Sequence, residues 1–197
     1  MKKVTFFTVC LILFALILAT GCSDTQSKNT NANSHYSATN KTYSNFGFSF
    51  DYPDNLVPVE LGNVGDPTAN MNNGMVEMNG TEDNITISWI KTFHRPPNLP
   101  VIYNTLYTTS KQDPRFPNVG VYILNTYSST ICGNAAFIGR FSHYDNSVHI
   151  QTNEGMIMWY HPSQDRFYMI DFVSPDDYYS FILGNMERYQ QSFRCTN

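Results

Sequence analysis

The sequence predicts an α+β domain: a central antiparallel sheet with an amphipathic C-terminal helix. Three observations predict it. Several short runs place apolar residues at every second position, the pattern of half-buried strands. Turn-forming residues join the later runs closely enough for consecutive strands to pair as hairpins. From Ser174 to Phe193 the apolar residues recur at helical spacing instead.

The chain opens with a leader, residues 1–21. Lys2 and Lys3 precede an apolar run from about Val4 to Ala19, which ends in Leu18-Ala19-Thr20-Gly21-Cys22. A charged start, an apolar stretch and small residues before a cleavage point are the parts of a secretory signal. With Cys22 at its end the leader resembles a prokaryotic lipoprotein signal, in which the cysteine takes a diacylglyceryl thioether and becomes the mature N-terminus. Ala19 stands where that pattern more often has leucine. The competing reading is an uncleaved transmembrane anchor, because a run of about 17 residues sits at the lower limit for spanning a bilayer. Either outcome puts the rest of the chain outside the cytoplasmic membrane.

Residues 22–41 are rich in Ser, Thr and Asn and have almost nothing to bury. Such composition stays disordered and serves as a tether. A single folded domain is expected over residues 42–197, long enough to bury one core. In it Phe48, Phe50 and Tyr52 alternate with Ser49 and Asp51 until Pro53, and Ile85, Ile87 and Trp89 alternate with Thr86 and Ser88. Further strands are expected at 119–128, 135–144, 149–160 and 167–173. Asp145-Asn146-Ser147 forms one turn, and His161-Pro162-Ser163-Gln164 begins another.

Two stretches read as helices. Leu99–Lys111 is the shorter. For the second, Ser174 is the expected N-cap and Pro175 the first helical residue, with Asp176 and Asp177 complementing the dipole. Tyr179, Ile182, Leu183, Met186, Tyr189 and Phe193 then fall within an arc of about 120°, an amphipathic face for a sheet.

Charge and cysteines bound the function. Beyond residue 21 there are 10 Lys+Arg (12 in the whole chain less Lys2 and Lys3) against 16 Asp+Glu, a formal charge of −6. No basic stripe announces a nucleic-acid partner. Cys10 leaves with the leader and Cys22 takes lipid, so Cys132 and Cys195 remain as a pair in an oxidising compartment. A bridge between them closes a loop of about 60 residues and stabilises by roughly 3–4 kcal/mol in the chain-entropy account. Two buried free thiols are the alternative.

The run Tyr43-Ser44-Asn45-Phe46-Gly47-Phe48-Ser49-Phe50-Asp51-Tyr52-Pro53 is followed by a middle strand and helix. Next come the strand start Gly133-Asn134-Ala135-Ala136, three further strands, and a helix ending in Gln191-Ser192-Phe193. This order resembles the PsbP-like family, whose namesake is an extrinsic protein of photosystem II. The resemblance spans most of residues 43–195 as a pattern of hydrophobics and turns. It implies an α/β/α sandwich around the antiparallel sheet, in a family mostly of accessory and binding proteins with no catalytic residues to carry over. Fold by itself does not settle function.

Candidate chemistry is sparse. His143 and His149 flank the Asp145 turn and face the same way only if the loop has three residues; a two-residue loop sets His143 opposite position 148. A metal needs three or four ligands, and no third has a foreseeable position. Asp51 and Asp171 interrupt apolar strands; they suggest an acid site or, as the simpler expectation, two solvent-facing positions. No Gly-x-Ser-x-Gly elbow occurs, and the Gly62–Gly65 stretch lacks the Lys-Ser/Thr of a phosphate loop. Aromatic residues make up 15% of the chain, many at core-facing parity, so a packed core is expected to explain most of them. Tyr103, Tyr107, Tyr122, Tyr127 and Tyr178 are the candidates for an aromatic groove. Asn40, Asn79 and Asn84 fit the glycosylation acceptor pattern, expected by chance in an Asn-rich chain.

The sequence therefore predicts a non-enzymatic, lipid-anchored extracytoplasmic domain that binds a protein partner or assists assembly at the membrane surface. Its place is the outer face of the cytoplasmic membrane or the cell surface, with the lipid as its membrane contact. No catalytic residue, cofactor or metal is expected. The alternative is a small-ligand or sugar-binding module using exposed tyrosines, and the remaining one is a hydrolase.

Overall fold

A computed structural model describes residues 40–62, 68–79, 84–112, 119–145, 150–175 and 179–196. The leader, Cys22 and the tether through residue 39 lie outside the described residues, as do Gly65, His149, Asp176, Asp177 and Tyr178.

The described residues form ten strands and two helices. In chain order they are β1 (Asn40–Asn45), β2 (Phe48–Pro53), β3 (Val57–Leu61), β4 (Asn73–Asn79), β5 (Asn84–Lys91), α1 (Leu99–Lys111), β6 (Val119–Ile131), β7 (Asn134–Asp145), β8 (Ile150–His161), β9 (Arg166–Pro175), α2 (Tyr179–Ser192) and β10 (Arg194–Cys195). Seven strands make one antiparallel sheet in the order β3-β4-β5-β9-β8-β7-β6, and β1-β2-β10 make a second, smaller one. The fold is α+β, as the alternation predicts.

Both faces of the large sheet are apolar. On one face Phe141, Met156, Met158 and Met169 meet Tyr103 and Leu106 of α1. On the other, Ile138, Ile157, Trp159 and Ile170 meet Phe48 and Phe50 of β2, Met186 and Tyr189 of α2, and Phe193 just beyond that helix. Trp159 stacks on Tyr168 at 5.0 Å and receives Phe193 edge-on at 4.7 Å. Fully burying a large apolar side chain contributes about 1.5–3 kcal/mol, so this aromatic layer is a main part of the packing.

Local chemistry explains α1. Asn98 accepts from the Val101 amide with its side chain, and Pro100 sits in the first turn, where its missing amide costs nothing. The ring of Tyr103 comes down on Gly139 of β7. A Cβ there would stand 2.1 Å from the ring, so glycine is what permits the helix to dock so closely. The Tyr103 hydroxyl donates to the Arg140 carbonyl at 3.1 Å.

The start of α2 differs from expectation. Ser174 and Pro175 belong to β9, paired with Asn153 and Thr152 of β8, and the described helix runs over Tyr179–Ser192. Extension of the ladder outcompetes the local capping signal, which tertiary context routinely does. Tyr179, Ile182 and Leu183 lie outside the residues whose side chains are described.

Cys132 and Cys195 form a disulfide with sulfurs 2.17 Å apart and Cα atoms 5.8 Å apart. Cys132-Gly133 is the two-residue turn between β6 and β7, with φ of 50° and 73°. Both residues of such a turn need positive φ, which glycine supplies without strain. The bridge therefore joins the β6–β7 hairpin of the large sheet to β10 of the small one.

Candidate functional site

Three adjacent central strands carry a polar cluster into the face beneath α1. Phe141 pairs with Glu154, His143 with Thr152, and Met156 with Asp171. Because residues opposite each other in a ladder share a face, His143, Glu154 and Asp171 all lie on the α1 side. His143 Nε2 is 2.8 Å from Glu154 Oε2. Glu154 is in turn hydrogen-bonded to Asp171.

Glu154 and Asp171 are 4% and 3% exposed. Burial pushes Glu154 up to about 8, with the Asp171 hydrogen bond acting the other way. Asp171 is raised well above its ordinary value, first by burial and then by the charge of Glu154 and the hydrogen bond to it. That bond lowers one group and raises the other, so protonated Asp171 is the donor. His143 is lowered by burial, opposed by the charge of Asp171. Burial thus favours the neutral form of all three groups, the imidazole and both carboxyls, and so a hydrogen-bonded chain over an ion pair. Glu154 Oε1 and Asp171 Oδ1 are buried without a hydrogen-bond partner.

Several expectations are corrected here. Asp171 does not face solvent: β9 is central and apolar on both parities, so neither of its faces meets water. Asp51 lies in the other sheet, accepting from Thr42 Oγ1 at 2.8 Å, and the two aspartates form no joint acid site. His143 is not a freely exposed hairpin histidine, since Glu154 holds it. Asp145 pairs with Ile150, so neither loop length considered for the Asp145 turn holds. Among the described residues no group of three or more His, Cys, Asp or Glu side chains is arranged to hold a metal ion. Nothing in the residue pattern around Glu154 singles it out.

The four described candidate tyrosines do not gather into one groove. Tyr103 is buried beneath α1, and half-buried Tyr107 donates its hydroxyl to the Val121 carbonyl at 3.4 Å. Tyr122 and Tyr127 are exposed, at 60% and 40%, on β6 at the edge of the large sheet. They pair with Ser142 and Ile138, which are four apart on β7 and share a face. A register shift between Ile123 and Asn125 puts the two tyrosines, five apart, on that one face. Between them Asn125 accepts from Arg140 Nε at 2.6 Å, and the Arg140 guanidinium lies 5.9 Å from the centre of the Tyr127 ring. Ile123 and Leu124 complete an exposed apolar strip.

A polar groove of about 480 Å³ lies between α2 and the small sheet, lined by residues including Asp51, Glu187, Gln191 and Arg194. Its mixed charges select no ligand class.

No family model matches the sequence, and no curated protein matches it. Solved structures do. The solution structure of cyanobacterial PsbP (CyanoP) from Synechocystis is 10% identical, with 85% of this chain and 98% of that one covered at a TM-score of 0.61. The Ran-binding protein Mog1p of Saccharomyces cerevisiae is 8% identical, with 81% and 96% covered at a TM-score of 0.52. At such identities the likeness is one of fold, and the fold is PsbP-like, as the order of aromatics and turns suggests.

Proposed function

We propose that this chain is a non-enzymatic accessory domain, held by a lipid on Cys22 at the outer face of the cytoplasmic membrane or the cell surface, which works by binding a protein partner. The observation that carries this reading is a separation of roles in the large sheet. Its cluster of titratable groups is sealed beneath α1, where no substrate-sized molecule touches Glu154 or Asp171, while large apolar side chains stand in solvent along β6. A catalytic site needs the reverse arrangement, with reactive groups at a surface a substrate reaches. The PsbP-like fold supports the reading, as does the description of one protein of similar fold as Ran-binding. We read the helices on opposite faces of the large sheet as the α/β/α sandwich that the family resemblance implies.

Capture from detergent-solubilised membranes tests it, using the tagged full-length chain and its Leu124→Lys variant as baits. The expected result is a protein retained reproducibly by the wild type and lost from the variant. Equal recovery with both baits, or none with either, overturns the role assigned to β6.

A further inference from the structure

We infer that the β6 edge pairs with the β6 edge of a second copy of this chain, antiparallel about a two-fold axis, joining two seven-stranded sheets. The inference rests on the reading of β6 as the interaction face and names its occupant.

The large sheet ends in two edges, and they are treated differently. β3 has five residues, among them Pro58 and Glu60, and Glu60 accepts from Tyr43 and Asn45 of β1 at 2.8 and 2.9 Å. A short edge with a proline and a charge is how natural sheets prevent edge-to-edge pairing. β6 has thirteen residues, no proline, and no Lys, Arg, Asp or Glu. Among the described strands it is the one without a charged residue of these types. Every residue from Tyr122 to Ser128 is exposed.

Charge selects the occupant. The chain beyond the leader carries a formal −6, which opposes association of two copies overall and leaves an uncharged strand as the place where they meet without local like-charge contact. An acidic or basic strand would find nothing on β6 to answer its charges. A second β6 is uncharged along its whole length and matches it.

The register shift at Leu124 then sets the alignment. Strands paired antiparallel about a two-fold axis normal to the sheet must place same-face residues opposite each other. Val121, Ile123, Thr126 and Ser128 pair with β7 residues on the α1 face, and Tyr122 and Tyr127 with β7 residues on the other. With the axis between Leu124 and Asn125, Tyr122 stands opposite the second copy's Tyr127, and Ile123 opposite its Thr126. Every such pair matches in face. A register displaced by one residue sets Tyr122 against Thr126, on the opposite face. The chosen alignment also forms two aromatic cross-strand pairs.

Full-length protein in detergent tests the inference. Co-expressed tagged and untagged copies should co-purify in the wild type, and Leu124→Lys should abolish this with its melting temperature unchanged. The double variant Tyr122→Cys/Tyr127→Cys should give a disulfide-linked dimer on a non-reducing gel, and neither single variant should, because each cysteine then faces a tyrosine. Failure of the untagged copy to co-purify, or equal cross-linking by the single and double variants, overturns the pairing. Capture of a different protein by the wild type and its loss from Leu124→Lys also overturns the pairing, but upholds β6 as the interaction face. Capture of nothing overturns both.

Discussion

His143 on β7 and Glu154 on β8 stand 2.8 Å apart, Nε2 to Oε2, in a cluster completed by Asp171 on β9. Their titration makes stability depend on pH in a defined direction. Burial raises the carboxyls in the folded state, so between their ordinary values and their folded ones the folded protein holds protons that the unfolded chain has lost. That stability is present at low pH and is lost as pH rises. His143 is lowered by burial, and below about 6.5 it opposes the trend, because the unfolded chain then binds the extra proton.

The clearest window is therefore pH 6.5 to 8, above the histidine and up to the value of about 8 for Glu154. A difference of one proton changes stability by about 1.4 kcal/mol per pH unit, so the expected loss across this window is about 2 kcal/mol. Glu154→Gln keeps a neutral hydrogen-bonding group and should flatten the dependence. Urea midpoints of wild type and variant across the window measure this; parallel curves would show that the cluster is not the source.

Gly139→Ala should destabilise the domain by about 1–3 kcal/mol, because the added methyl lands 2.1 Å from the Tyr103 ring and overpacks the contact. If crowding is the cause, the penalty shrinks when Tyr103→Ala removes the ring. A double-mutant cycle by denaturant unfolding reads the coupling. Additive effects would mean that Gly139 acts through strand propensity instead.

Breaking the Cys132–Cys195 bridge removes a link between the hairpin turn of the large sheet and β10 of the small one. The constraint on the unfolded chain contributes roughly 3–4 kcal/mol for a loop of this size. Cys132→Ser/Cys195→Ser should lower stability by that amount, and denatured mature wild type should titrate without free thiol at either position. Two thiols per domain would refute the bridge.

Much of this architecture was legible in the sequence. α1 runs from Leu99 to Lys111 as its pattern indicates, and β2 and β5 to β9 lie where alternation places them. β1 was not legible, because of its six residues Tyr43 is the one that is buried. β4, Asn73–Asn79, is flanked by asparagine-rich segments that read as loop. The His143–Glu154–Asp171 cluster escaped for a different reason. It joins three strands through two registers, which hang on the connections from Asp145 to Ile150 and from His161 to Arg166. One signal was nevertheless present: Phe167–Phe172 is apolar on both parities apart from Asp171, the mark of a strand covered on both faces, so that aspartate had no solvent side to occupy.

The lipid proposed on Cys22 is what would let any of these surfaces work at a membrane. An acidic domain gains nothing from anionic head groups, so the proposed attachment is a hydrophobic one. Each buried methylene contributes about 0.8 kcal/mol; one acyl chain holds reversibly, and the two of a diacylglyceryl group hold durably. Cys22→Ser should therefore abolish incorporation of labelled fatty acid. If the leader remains uncleaved as a transmembrane anchor instead, the variant stays in the membrane fraction after alkaline extraction; if the leader is a lipoprotein signal, no mature lipidated form accumulates. Labelling that survives the substitution would exclude Cys22 as the anchor. The same variant separates anchoring from pairing, since β6 is untouched: co-purification of tagged and untagged copies should persist at matched concentration, because the strand edges and not the shared bilayer bring the two domains together.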